Sequence, residues 1–261
     1  MLTKCLLFLA TTTLLVLAEP IPSAWHHQWG GRIYGGENIT IEQAPWQVSI
    51  QDSNRTPFCG GAIYNDRVIV TAAHCINPRN SSDLLVRVGA TNRSQGGYLL
   101  KVSKMKVHEE FNTSTIRYDI AVILLSSKLN LKDWKNVRPI KLANAPPPNG
   151  AEAFVSGWGL TEQGIPETLK GTHVGIVDQG VCRNQYQTVC SKITEDMICA
   201  AAPGKDSCSY DSGGPLVYND QLVGIVSWGE GCADAKFSGV YANVALLHEW
   251  IVKAAEEITL N

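Results

Sequence analysis

The segment KDSCSYDSGGP, residues 205–215, decides how the rest of this chain is understood. Ser212 stands between an acid and two glycines, and a short apolar run, PLVY (215–218), follows it. That is the setting of a serine presented on a tight loop ahead of a strand. Tyr210 does not fit the setting, because a bulky side chain occupies a position where such a loop calls for glycine. Whether Ser212 belongs to a working site depends on what the chain places beside it.

Working outward, short runs rich in Val and Ile recur along the sequence: WQVSI (46–50), RVIVTAA (67–73), LLVRVGA (84–90), DIAVILL (119–125), EAFVSGW (152–158), HVGIVD (173–178), PLVY (215–218) and LVGIVSW (222–228). Gly, Pro and Asn punctuate them, which is strand-and-turn patterning. Many short strands of this kind predict a sandwich or barrel. The stretch ANAPPPNG (143–150) is linker-like and separates the strands into two groups. The end of the chain differs. In NVALLHEWIVKAAEEI, Val244, Leu247, Trp250, Ile251 and Ala254 share one helical face, with Asn243 placed to cap it.

With 261 residues, 44% hydrophobic and 18% charged, the chain is long enough and apolar enough to bury a substantial core. A net charge of −2 and a pI near 6.3 exclude the electrostatic footprint of a nucleic-acid binder. Nor is there a basic cluster for an anionic membrane surface. Lys4 precedes an apolar run at residues 5–18 that is short for a membrane span, and Ala18 is a small residue before Glu19-Pro20. This pattern predicts a secretory signal peptide over residues 1–18 and an extracellular protein with no membrane anchor. Seven cysteines follow it: Cys59, Cys75, Cys182, Cys190, Cys199, Cys208 and Cys232. In an oxidising compartment most should pair, and an odd number leaves at least one over. Sequons begin at Asn38, Asn54, Asn80, Asn92 and Asn112. All lie before residue 115, so glycans there are expected to coat one half of the molecule.

Three segments carry candidate chemistry: TAAHC (71–75), YDIAVILL (118–125) and SYDSGGP (209–215). A histidine beside a cysteine is ordinary, and so is an aspartate ahead of a strand. The ordered set His74, Asp119, Ser212 is not. Together with RIYGG (32–36), CGGAI (59–63), SGWG (156–159), MICA (197–200), GIVSWGEGCA (224–233) and GVY (239–241), these segments make the chain resemble a trypsin-like serine protease of the chymotrypsin family over everything after residue 32.

That resemblance implies an all-β fold: two Greek-key antiparallel β-barrels with the active site between them, plus a C-terminal α-helix. It implies a peptidase domain over 33–261, its halves meeting near 143–150, and residues 19–32 as an activation propeptide. Cleavage after Arg32 by an activating trypsin-like protease would free Ile33, whose amine would pair with Asp211. His74 is then the base that takes the Ser212 proton, and Asp119 orients and stabilises the imidazole. The backbone N–H groups of Tyr210 and Ser212 form the oxyanion hole. Asp206 at the base of the pocket selects Arg or Lys before the scissile bond, Gly229 and Gly239 form its walls, and the strand Ser227-Trp228-Gly229 pairs with the substrate backbone. The implied disulfides are Cys59–Cys75, Cys182–Cys199 and Cys208–Cys232, which leaves Cys190 as either a free thiol or an intermolecular partner.

The expected partners are protein or peptide substrates and protein inhibitors; a monomer with no cofactor and no metal is expected. The segment VGATNRSQGGYLLKVSK lies where many trypsins bind calcium but contains no carboxylate, and a hard dication needs charged oxygen ligands, so no calcium site is expected there. Tyr210 keeps its N–H, but a loop that demands positive φ strains a bulky residue, and misplacing one oxyanion donor costs roughly 10²–10³ in turnover. The sequence therefore supports a secreted, zymogen-activated endopeptidase restricted by Tyr210. The alternative is a catalytically impaired homologue that acts by binding or by competing for substrates.

Overall fold

The structure is a computed structural model that describes residues 36–161, 163–189, 192–204, 210–231 and 236–260. A two-residue strand, β1 (Glu37–Asn38), comes first. The strands β2 (Gln47–Asp52), β3 (Pro57–Ile63), β4 (Val68–Thr71), β5 (Leu84–Val88), β6 (Tyr98–Val107) and β7 (Ala121–Leu125) then close into an antiparallel barrel in the order β2-β3-β4-β7-β6-β5. After a short strand β8 (Lys141–Leu142), a second antiparallel barrel is built from β9 (Glu152–Gly157), β10 (Lys170–Val177), β11 (Met197–Ala201), β12 (Pro215–Tyr218), β13 (Gln221–Trp228) and β14 (Gly239–Asn243). Its ring runs β9-β10-β11-β14-β13-β12 and closes through the β9–β10 pairing. Among the described residues, closure leaves only the two-residue strands β1 and β8 with an unpaired edge, which protects a body of short apolar strands from pairing with other chains.

The continuous apolar run of β7, Ala-Val-Ile-Leu-Leu, is buried at every position. A strand facing water on one side would alternate. This one is covered on both faces, because the C-terminal helix packs on β6, β7 and β13. Between the barrels' strands lie two short helices, α1 (Ala73–Ile76) and α2 (Gln179–Gln185); α3 (Val244–Leu260) ends the chain. Val244, Leu247, Ile251 and Ala254 of α3 are buried as their spacing predicts, within the same core cluster as Val68–Val70 and Ala121–Leu125. Trp250 is only partly buried, and its indole N–H donates to Glu109 Oε2 at 2.7 Å. The Leu246 N–H donates to Asn243 Oδ1 at 3.3 Å, so Asn243 caps the helix as expected. The helix thus binds the N-terminal barrel, although it follows the C-terminal one in sequence.

The same crossing corrects the expectation for the sequons. Asn38 lies in β1, which pairs with Lys170 and Gly171 of β10 in the second barrel, and Asn92 forms a bridge with Thr168. Sequence position before residue 115 therefore does not confine them to one half. The loop at 89–97 carries no carboxylate of its own, but one reaches it: Glu167 accepts from Arg93 Nη2 at 3.0 Å and from Ser94 Oγ at 2.6 Å. From β5, Arg87 Nη1 donates to the Gly96 carbonyl of that loop at 2.5 Å.

Candidate active site

His74 sits in the single turn of α1, directly after β4, and the turn is pinned to β3 by the Cys59–Cys75 disulfide (S–S 1.97 Å). Asp119 lies two residues before β7 and is buried. Its carboxylate accepts three hydrogen bonds. His74 Nδ1 donates to Oδ2 at 2.7 Å, the His74 backbone N–H to Oδ1 at 2.9 Å, and the Ser227 hydroxyl to Oδ2 at 2.5 Å. A proton on Nδ1 fixes the tautomer and leaves the Nε2 lone pair available as a base. Burial pushes the His74 pKa down, but the hydrogen bond and charge of Asp119 outweigh it and hold the value above the ordinary 6.5.

Ser212 comes from the other barrel, in the turn before β12, and the backbone delivers it. Gly60 N–H donates to the Ser212 carbonyl at 2.8 Å, and Gly213 N–H to the Val226 carbonyl at 2.8 Å. Gly213 has φ +80°, and a Cβ there would stand 2.2 Å from Thr71 Oγ1 and 2.5 Å from the Gly60 carbonyl. Only glycine lets the serine turn close on the strand that leads to His74. The Ser212 hydroxyl has no hydrogen bond among the described residues, to His74 or elsewhere.

Tyr210 has φ +77° and is 45% exposed. The backbone therefore keeps the left-handed conformation that favours glycine, despite the side chain. Among the described residues, neither the Tyr210 N–H nor the Ser212 N–H has an acceptor. Between them, Asp211 is buried, and its Oδ1 accepts from Gly159 N–H at 2.7 Å. A Cβ on Gly159 would fall 2.0 Å from that carboxylate, which explains the glycine that ends SGWG.

Beside the serine, β13 continues through Ser227 and Trp228. The Trp228 ring meets Tyr186 edge-on at 5.0 Å, and the Tyr186 hydroxyl donates to the Ser238 carbonyl at 2.7 Å. A Cβ on Gly229 would lie 3.9 Å from Gly239 Cα and 3.9 Å from the Tyr186 hydroxyl, so the two glycines lie side by side. The Cys182–Cys199 disulfide is formed as implied (S–S 1.96 Å). Arg32, Ile33, Asp206, Cys190 and the Cys208–Cys232 pair lie outside the described residues. Cys59, His74 and Cys75 are the one cluster of metal-ligand type among the described residues, and the disulfide removes both of its thiolates.

Sequence reasoning named Ser227 for its backbone and missed its hydroxyl, which nothing in the local pattern marks as a donor to Asp119. It missed Tyr186 as well, because the residue lies 42 positions before Trp228 in a polar stretch.

The trypsin family model matches residues 33–251. The chain belongs to the trypsin family. It is 48% identical to trypsin delta of Drosophila erecta, across 92% of this chain and 94% of that one. It is 46% identical to trypsin alpha of Drosophila melanogaster, across 97% and 99%. Among solved structures it is similar to neuropsin, a serine protease expressed in the limbic system of mouse brain, with a TM-score of 0.77, 34% identity, and coverage of 84% of this chain and 98% of that one. This trypsin-family chain is a serine endopeptidase, and proteases of the family act on protein and peptide substrates. Among the described residues no helix is long and apolar enough to cross a membrane.

Proposed function

We propose that this trypsin-family enzyme is a secreted, zymogen-activated endopeptidase that cleaves after Arg or Lys, with Ser212 as nucleophile, His74 as general base and then acid, and Asp119 as the group that orients His74. The observation that carries the proposal is the bracketing of His74. Two bonds to one buried carboxylate fix its ring, and with the proton on Nδ1 the Nε2 lone pair is left to act as the base. In the forward step Ser212 Oγ bonds to the substrate carbonyl carbon and its proton passes to His74 Nε2. The carbonyl π pair moves to oxygen, where the Tyr210 and Ser212 N–H groups receive it. Collapse breaks the C–N bond, and the departing nitrogen takes the proton from His74. Water then repeats the sequence on the acyl-enzyme.

Asp206 would supply the charge that selects a basic side chain, with Gly229 and Gly239 leaving room for it. Trimming after Arg32 would free the Ile33 amine to join Gly159 N–H on Asp211. Against the reading as an impaired homologue that acts by binding stands the positive φ of Tyr210, a backbone conformation that glycine would also adopt in this turn. The test is full-length protein cleaved after Arg32, assayed on small amides ending in Arg, Lys, Leu or Glu and counted with an acylating active-site titrant. Turnover confined to Arg and Lys, stoichiometric acylation, loss of both in Ser212→Ala and loss of basic preference in Asp206→Ser are expected. Stoichiometric binding of substrate without acylation would overturn the catalytic reading.

A further inference from the structure

Asp196 is 3% exposed, a carboxylate of the second barrel with no place in the chemistry above. It stands just before β11, and its carbonyl accepts from Asn243 N–H at 2.8 Å, so its backbone is locked at the junction of β14 and α3. Both side-chain oxygens are occupied. Thr194 Oγ1 donates to Oδ1 at 2.7 Å, and Arg117 Nε lies 3.5 Å from the same oxygen. Oδ2 reaches across to the first barrel, where it accepts the backbone N–H of Tyr118 at 2.7 Å.

Tyr118 is the residue before Asp119, and its φ is +53°. A bulky residue does not hold the left-handed region unless its surroundings over-determine it. Here they do. Ile120 N–H donates to the Tyr118 carbonyl at 2.8 Å, which makes Asp119 the central residue of a three-residue turn. The Tyr118 ring stacks on His108 at 4.7 Å, and His108 packs on Trp250 of α3, also at 4.7 Å. The polar contact that holds the strained residue by its N–H is Asp196. Release of that N–H would let Tyr118 relax toward negative φ and turn the Cα–Cβ bond of Asp119 away from His74.

We propose that Asp196 is a positioning residue: through the Tyr118 N–H it holds the turn that aims Asp119 at His74. The proposal rests on Asp119 orienting His74, as read above. An acceptor is what the position requires, so Asp196→Asn, whose amide oxygen can still accept, should act like the parent protein, whereas Asp196→Ala should not. In the Arg32-cleaved full chain, corrected for titratable sites, Asp196→Ala is expected to lose about 10- to 100-fold in kcat with KM within about 2-fold. The acid limb of its kcat/KM profile should move to lower pH, and the low-field NMR signal of the His74 Nδ1 proton should weaken or shift. Asp196→Asn should stay within about 3-fold of the parent on all of these. If Asp196→Ala does not fold, Asp196→Glu replaces it. The longer side chain keeps the charge but displaces the acceptor, so positioning requires Asn to outperform Glu.

Parent-like kcat and NMR signal in Asp196→Ala would overturn the proposal, and so would equal losses in Asn and Ala, or Glu matching Asn. Asp119→Asn runs alongside. If it retains full activity, both the proposal and the reading of Asp119 fail. If it loses activity while Asp196→Ala does not, only the proposal fails.

Discussion

Replacing Tyr210 by glycine and by alanine separates backbone strain from the ring. At φ +77° any residue with a Cβ bears the left-handed penalty, about 1–2 kcal/mol. Glycine escapes it but gives the unfolded chain more freedom, which costs about 0.5–1 kcal/mol. Both variants lose the ring equally, so its contacts cancel in the comparison. Tyr210→Gly should therefore be more stable than Tyr210→Ala by roughly 0.5–1 kcal/mol, or about 1–4 °C in Tm for a chain of this size. Catalysis should respond differently. The Tyr210 backbone already holds a φ that a glycine would take, so kcat on a small Arg-ended amide should vary less than about 10-fold across the parent and both variants, short of the 10²–10³ expected for a lost donor. If the exposed ring obstructs large protein inhibitors, they should bind both variants alike and more tightly than the parent. Calorimetry and steady-state kinetics on the Arg32-cleaved proteins supply the numbers. An alanine variant as stable as the glycine variant would refute the positive φ, and a 100-fold gain in kcat for glycine would refute the claim that the donor is in place.

Four other outcomes follow from the same geometry. The acid limb of kcat/KM in the free enzyme should lie above pH 6.5, and Asp119→Asn should move it down, because burial alone then acts on His74, with kcat lower by about 10⁴, the loss established for this kind of triad. The sign for stability is opposite: protonated His74 paired with Asp119 stabilises the fold fully below pH 6.5, and that contribution fades as pH rises through the raised folded pKa while activity grows, which denaturation at several pH values would register. Ser227→Ala, which removes the 2.5 Å bond to Asp119 Oδ2, should cost about 10-fold in kcat on small amides with little change in KM. Replacing Cys59 and Cys75 together by serine opens a link between residues 16 apart in sequence and should lower unfolding free energy by about 3 kcal/mol in urea titrations.

The strands legible in the sequence are those whose apolar residues face a barrel interior on one side and a helix or the other barrel on the second. β4, β7 and β13 read as runs of Val, Ile and Leu for that reason. β3 did not announce itself, because CGGAI places Gly61 where a Cβ would approach Ile69 Cγ2 and Val48 Cγ2 to 2.9 Å. Close backbone approach selects glycine there, and glycine carries no strand signal. β6 was missed for the opposite reason, since Lys101, Lys104 and Lys106 alternate with its apolar residues and mask them. At the site, the residue types of the triad were legible together with their order. The partners that aim them were not, because Ser227 and Asp196 reach Asp119 and Tyr118 over 108 and 78 positions of sequence.

Those long separations share a direction. Asp119 and the residue before it belong to the first barrel, and the groups that hold them, Ser227 and Asp196, belong to the second. Conversely, Ser212 belongs to the second barrel and is held by Gly60 of the first, with Gln47 and Ser156 joined across the same seam by a buried 2.7 Å bond. Neither barrel alone can fix the geometry of His74, Asp119 and Ser212, so the polar contacts across the seam tolerate little change. Tyr210 marks the limit of that constraint. Its backbone conformation is dictated by the turn, but its side chain projects where solvent, and not the opposite barrel, sets what is allowed. A substitution that would be excluded a few residues away in Gly213, where a Cβ would strike Thr71, is accommodated there at the cost of local strain.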